Sequence, residues 1–183
     1  MIQLVQIDEI LGNRKLLQLL LFLIDNPSQE QTYTEIRKKT KLSKATLTKW
    51  LGFLEAKRFV FMRPIGTNKL YKINSDNSFL KQFKILFTLL SLASIAKIAQ
   101  KHDVGAYLFG SMARGEDTEK SDIDLLIIGK IKKEEIILEI QLCTKKLQKE
   151  VRLQIFTSLE WSKLAEKDPA FYERVEKDKI RLQ

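Results

Sequence analysis

The sequence predicts an α+β chain of two domains, and three observations carry that expectation. Residues 10–74 read as three helices followed by a β-hairpin. Residues 79–183 read as helix, strand, strand, helix, strand, helix, the pattern of a mixed α+β domain. Between them Ser75-Asp76-Asn77-Ser78 is polar and marks a boundary, giving domains 1–75 and 76–183, the second led by an apolar helix over 79–101.

In the first domain a helix is expected from about Asp8 to Ile24, with Leu16, Leu17, Leu19, Leu20, Leu21 and Leu23 on its buried side and Asp25-Asn26-Pro27 as its stop. Thr34 is placed to cap a short helix to Thr40, and Ser43 to cap a third reaching Lys57. Leu47, Trp50, Leu51 and Leu54 fall at i, i+3, i+4 and i+7 of that third helix, a single buried face. Strands are expected at 59–63 and 70–73, with Pro64, Gly66 and Asn68 in the turn.

In the second domain Phe79 to Lys101 reads as one long apolar helix or two in series. Phe79, Phe83 and Phe87 recur at i, i+4 and i+8, a core or interface pattern. Strands are expected at 104–109, 123–128 and 151–156, an amphipathic helix at 132–149, a helix capped by Ser158, and a last helix starting at Pro169.

Composition narrows the class. Of 183 residues 44% are apolar and 30% charged, the profile of a soluble globular protein with enough chain for two small cores. The single cysteine, Cys143, excludes an internal disulfide framework and fits a reducing cytoplasm. No segment reads as a signal peptide, and the greasiest stretch, between Lys84 and Lys97, is twelve residues, whereas a membrane span needs about 20. A cytoplasmic location without membrane contact is expected. His102, the lone histidine, receives no role.

The net charge of +9 is unevenly placed: residues 1–75 hold 13 Lys+Arg against 6 Asp+Glu, the remainder 19 against 17. The basic half points to a polyanion or to a solvated basic surface. Within it, Leu42-Ser43-Lys44-Ala45-Thr46-Leu47-Thr48-Lys49 resembles the recognition-helix entry of the winged helix-turn-helix family, a likeness covering about residues 10–74. The resemblance implies that Lys44, Thr48 and Lys49 enter a major groove of duplex DNA, and that Arg63, Asn68 and Lys69 of the wing reach phosphates or a minor groove. Arg37, Lys38, Lys39 and Lys41 add phosphate-facing charge. The family often has glycine after this helix where this chain has Arg58, so a different turn into the wing is expected. A protein-docking role for the same module stays open.

The most informative segment is Leu108-Phe109-Gly110-Ser111-Met112-Ala113-Arg114-Gly115, then Ser121-Asp122-Ile123-Asp124-Leu125. Gly110 lets the chain turn sharply and approach a phosphate, and Ser111 offers a hydroxyl and a backbone N–H. Asp122 and Asp124, two apart on a strand, project to one face, where their repulsion calls for a hard divalent cation. Gly-Ser, ten residues, then Asp-x-Asp resembles the signature of the DNA polymerase β-like nucleotidyltransferase superfamily, in particular its minimal nucleotidyltransferases, over residues 85–183. The resemblance implies a mixed sheet flanked by helices, Mg²⁺ or Mn²⁺, and transfer of a nucleoside monophosphate from a nucleoside triphosphate to an acceptor hydroxyl. Asp122 and Asp124 would be the catalytic metal ligands, and Gly110, Ser111, Arg114 and Lys120 the phosphate contacts. Arg114 and Lys120 read equally well as solvated loop cations.

One departure stands out. The superfamily's third acid belongs on the third strand, where Glu150, Arg152 and Gln154 share a face, and the positions that match best, Arg152 and Gln154, are not acidic. The expectation is therefore nucleotide binding with weak transfer, and the alternative is a non-catalytic transcriptional regulator that senses a nucleotide. Minimal nucleotidyltransferases often serve as antitoxins that modify a partner protein, which implies a protein acceptor or toxin partner. The apolar surface of 79–99 also suits a homodimer.

Overall fold

The computed structural model describes residues 11–182. The chain divides into two compact units, residues 1–80 and 81–183. The division falls inside a helix, Ser78–Ser91, two residues past the end of the polar stretch 75–78.

The first unit holds α1 (Arg14–Ile24), β1 (Gln31–Thr32), α2 (Tyr33–Thr40), α3 (Lys44–Ala56), β2 (Val60–Ile65) and β3 (Asn68–Ile73). Asn13 caps α1 by accepting from the amides of Lys15 and Leu16. The expected extension of that helix back to Asp8 lies outside the described residues. Leu16, Leu19, Leu20 and Leu23 are buried, while Leu17 and Leu21 are half-buried. The cap of α2 is Thr32, not Thr34: Thr32 and Glu35 form a reciprocal capping box, which satisfies two helix-start donors where Thr34 would satisfy one. Ser43 caps α3 as its sequence predicts, and Leu47, Trp50, Leu51 and Leu54 are its buried face.

The hairpin strands run longer than expected, with Pro64 inside β2 and opposite Lys69. The sheet order is β1-β3-β2, so β2 is an edge, where a missing N–H costs no ladder bond. The short β1, unforeseen in sequence, pairs with β3 through Gln31 and Tyr71. Arg58 adopts φ +56° after α3, so the turn forms without glycine. Its carbonyl accepts from the Asn74 amide at 2.9 Å, and the Phe59 N–H bonds the Leu54 carbonyl.

From the division onward the elements are α4 (Ser78–Ser91), α5 (Ala93–Lys101), β4 (Gly105–Phe109), α6 (Gly110–Ala113), β5 (Ile123–Ile128), α7 (Lys133–Thr144), β6 (Val151–Phe156), α8 (Ser158–Lys167), α9 (Pro169–Asp178) and β7 (Ile180–Arg181). The apolar stretch is thus two helices, bent by 45°. Among the described residues no single helix is long and apolar enough to cross a membrane, and Leu92, Ile95, Ile98 and Ala99 are core residues of the second unit. The amphipathic helix expected to reach Lys149 ends at Thr144 and tightens into a 3₁₀ turn, Lys145–Leu147. Thr157, not Ser158, caps α8, again through a capping box, with Glu160.

The sheet order is β6-β5-β4-β7, with β5 and β6 parallel and the other pairs antiparallel. It is the mixed sheet of an α+β domain. Strand β7 carries too few residues to announce itself in sequence. One sheet face buries Ile123, Leu125 and Ile127 against Ile95, Ile98, Ile136 and Ile140 of α5 and α7. The other buries Phe109 and Leu126 against Trp161 and Val175 of α8 and α9. Because side chains alternate along β5, Asp124 falls on the second face, at the end that α6 and α9 border.

Candidate nucleotide and metal site

The site is built at the β4–α6 turn. Gly110 has φ +75°, and a Cβ there would collide with the carboxylate of Asp124. Glycine is therefore required twice, for the backbone and for the acid that packs against it. Gly115, with φ +66°, leaves room for the backbone carbonyl of Lys81, 2.5 Å from where its Cβ would be. Between them Ser111 is half-buried, and its carbonyl accepts from the Glu116 N–H at 2.9 Å.

Asp124 pairs with Phe109 across the antiparallel ladder and with Arg152 across the parallel one. Asp122 lies one residue before β5 begins. The guanidinium of Arg152 is 2.6 Å from Asp122 Oδ2. Burial pushes the Asp124 carboxyl above the usual aspartate range; the charges of Arg152, Arg114 and Arg174 pull it down, and that of Asp122 pushes it up. Three arginines thus act on one acid of the pair.

The phosphate contacts expected from sequence have different surroundings. Arg114 donates to Glu116 at 2.9 Å and to Asp178 at 2.5 Å. Lys120 is exposed on the loop before Asp122. Glu150 shares no ladder position with the acids: its carbonyl accepts from the Ile123 N–H.

Several residues around the site gave no signal in sequence. Lys84, from α4, forms an ion pair with the buried Asp117 at 3.1 Å and also donates to its carbonyl. Lys149 donates to the carbonyls of Thr118 at 2.7 Å and Ser121 at 3.1 Å. Together they fix the loop that joins the Gly-Ser turn to the acids. Arg174 of α9 lies over the Phe171 ring, 5.4 Å from its centroid. These residues come from distant parts of the chain, and a charged loop residue such as Asp117 looks solvated until the fold buries it.

The donor set can be tested against the metal that the superfamily implies. Asp122 and Asp124 supply carboxylate oxygens suited to a hard cation, with phosphate and water completing its shell. Among the described residues no cluster of three or more His, Cys, Asp or Glu side chains is placed to hold a metal. Two carboxylates alone do not complete a metal shell, so a divalent cation at these residues would need its remaining ligands from phosphate and water.

In the first unit Lys44 and Lys49 are exposed on α3, and Lys49 lies over the Trp50 ring at 4.6 Å. Thr48 is exposed, with its hydroxyl 3.1 Å from that of Tyr33. Arg63 is engaged by Glu30, and Lys69 is exposed on β3.

A strand, a Gly-Ser turn and an acid-bearing second strand in a mixed sheet are the arrangement that the sequence resemblance implies. Residues 92–182 match the family model described as a nucleotidyltransferase domain, which takes in the sheet, the turn and both acids. Over 42 residues the chain is also 55% identical to a protein of Methanocaldococcus jannaschii named "Putative protein adenylyltransferase", covering 23% of this chain. The aligned part is 39% of that relative's length.

Proposed function

We propose that the second unit binds a nucleoside triphosphate with Mg²⁺ or Mn²⁺ and transfers its nucleoside monophosphate to an acceptor hydroxyl, whose oxygen bonds the α-phosphorus as the bond to pyrophosphate breaks and its proton passes to solvent. The observation that carries this reading is the packing of the Gly110 turn against Asp124, with Asp122 beside it. Phosphate oxygens would meet the Ser111 side of the turn, and Asp122 and Asp124 would hold the cation. The bound cation shields triphosphate charge and polarises the phosphate under attack. The relative's name favours an adenosine triphosphate donor and a protein acceptor.

The first unit, in this reading, is a winged helix that binds duplex DNA. Lys44, Thr48 and Lys49 would face the major groove, and Lys69 would contact phosphate from the wing. The exposure of these side chains and the charge excess of residues 1–75 support it. A cytoplasmic location suits both activities.

A second reading, a regulator that binds the nucleotide without transfer, is favoured by Arg152 opposite Asp124 and by the lack of an acid at either Arg152 or Gln154. Incubating the protein with each α-³²P-labelled nucleoside triphosphate, Mg²⁺ and cell extract separates the two. Transfer predicts a labelled acceptor, lost in the Asp122→Ala, Asp124→Ala double variant. Nucleotide binding without any labelled species selects the regulator.

A further inference from the structure

We propose that Arg152 takes the place of a second divalent ion, so that the site grips its triphosphate with one cation and one guanidinium. This rests on the nucleotide reading above and specifies how the nucleotide is held.

The parallel register sets Arg152 beside Asp124 on the face that carries both acids. Its guanidinium is 2.6 Å from Asp122 Oδ2, a charge-assisted contact that uses one edge of the planar group. The Arg152 side chain is 70% exposed while that of Asp122 is 19% exposed. With most of the Arg152 side chain exposed, guanidinium donors other than the one on Asp122 are accessible to an incoming anion. Five fixed donors match the oxygens of a phosphate, which a lysine ammonium would meet only as a point charge.

Charge and geometry both argue against a second metal. A second divalent ion, placed on Asp122 Oδ2, would sit against the guanidinium already there and be repelled by it, whereas the first would be held by Asp124 and the other oxygen of Asp122. The next side chain on this face of β6, Gln154, is neutral and exposed. Arg152 thus supplies a permanent positive charge where a third carboxylate would recruit an exchangeable one. The other two arginines near Asp124 are differently placed: Arg114 is held between Glu116 and Asp178, and Arg174 lies over Phe171.

The test uses the full chain, Mn²⁺ and α,β-methylene-ATP, a triphosphate that cannot be cleaved at its α–β bridge. Electron paramagnetic resonance counts bound Mn²⁺ and calorimetry reads analogue affinity. The natural protein should bind one Mn²⁺ per chain with the analogue. Arg152→Asp should raise this to two, a change that a merely structural role for Arg152 would not produce. Arg152→Ala should weaken analogue binding about tenfold or more, with partial recovery in Arg152→Lys. Circular dichroism confirms folding of each variant, which the exposure of Arg152 favours. Two Mn²⁺ per natural chain, or unchanged analogue affinity in Arg152→Ala, overturns the role of Arg152 and leaves the nucleotide reading standing. No analogue binding by the natural protein at any Mn²⁺ concentration overturns both.

Discussion

Gly110 is where the β4–α6 turn meets Asp124. Its positive φ and the missing Cβ leave Asp124 its place. Gly110→Ala should cost about 1–3 kcal/mol of stability from the left-handed backbone alone and weaken nucleotide binding by displacing Asp124. Chemical denaturation and calorimetry read the two effects separately. A second residue-scale prediction concerns Glu116. Hydrogen bonds from Arg114 and Lys81 hold its carboxyl below the usual glutamate range. A depressed acid stabilises the fold above its unfolded pKa, and that contribution is lost as pH falls through the folded value. The stability gap between the natural protein and Glu116→Gln should therefore be present at neutral pH and close in acid, as followed by urea unfolding across pH.

At the scale of elements, the loop between α6 and β5 owes its shape to lysines from α4 and the β6 approach. Lys84 and Asp117 are both buried, and removing Lys84 leaves Asp117 with only the Lys149 ammonium, 3.7 Å from its Oδ2, and its carbonyl without the Lys84 donor. Lys84→Met should destabilise the second unit by about 1–3 kcal/mol, which thermal unfolding would show. The double variant Lys84→Met, Asp117→Leu should recover part of the loss. The register of β6 matters equally. Alternation in Val151–Phe156 made Arg152 and Gln154 candidates together, because a strand pattern fixes a face and not a partner. Pairing with β5 sets Arg152 opposite Asp124 and Gln154 opposite Leu126. Caps were misplaced by one or two residues in α2 and α8 because neighbouring hydroxyls compete, and the capping-box glutamates Glu35 and Glu160 decide the outcome.

Across the whole chain, charge is divided as the two units are, with the basic excess in residues 1–75. If α3 and the wing contact about four phosphates, duplex affinity should fall about 100-fold between 50 and 200 mM salt. Lys44→Ala with Lys49→Ala should flatten that slope. Mobility-shift titration of the full chain at several salt concentrations checks both, and absence of any retarded duplex at low salt would favour a protein-docking role for the first unit.

Local chemistry made much of this protein readable without coordinates. The α3 face follows from a 3.6-residue period, and the Gly-Ser turn and Asp-x-Asp pair from their spacing on adjoining strands. These features depend on residues a few positions apart. The ion pair of Arg152 with Asp122, the lysine anchors of the 116–121 loop, and the short strands β1 and β7 depend on residues brought together from afar. Strand order and register create those neighbours, and a two-residue strand has no period of its own. The charge that faces the acids was therefore settled by packing of the sheet, although every residue that supplies it was visible in the chain.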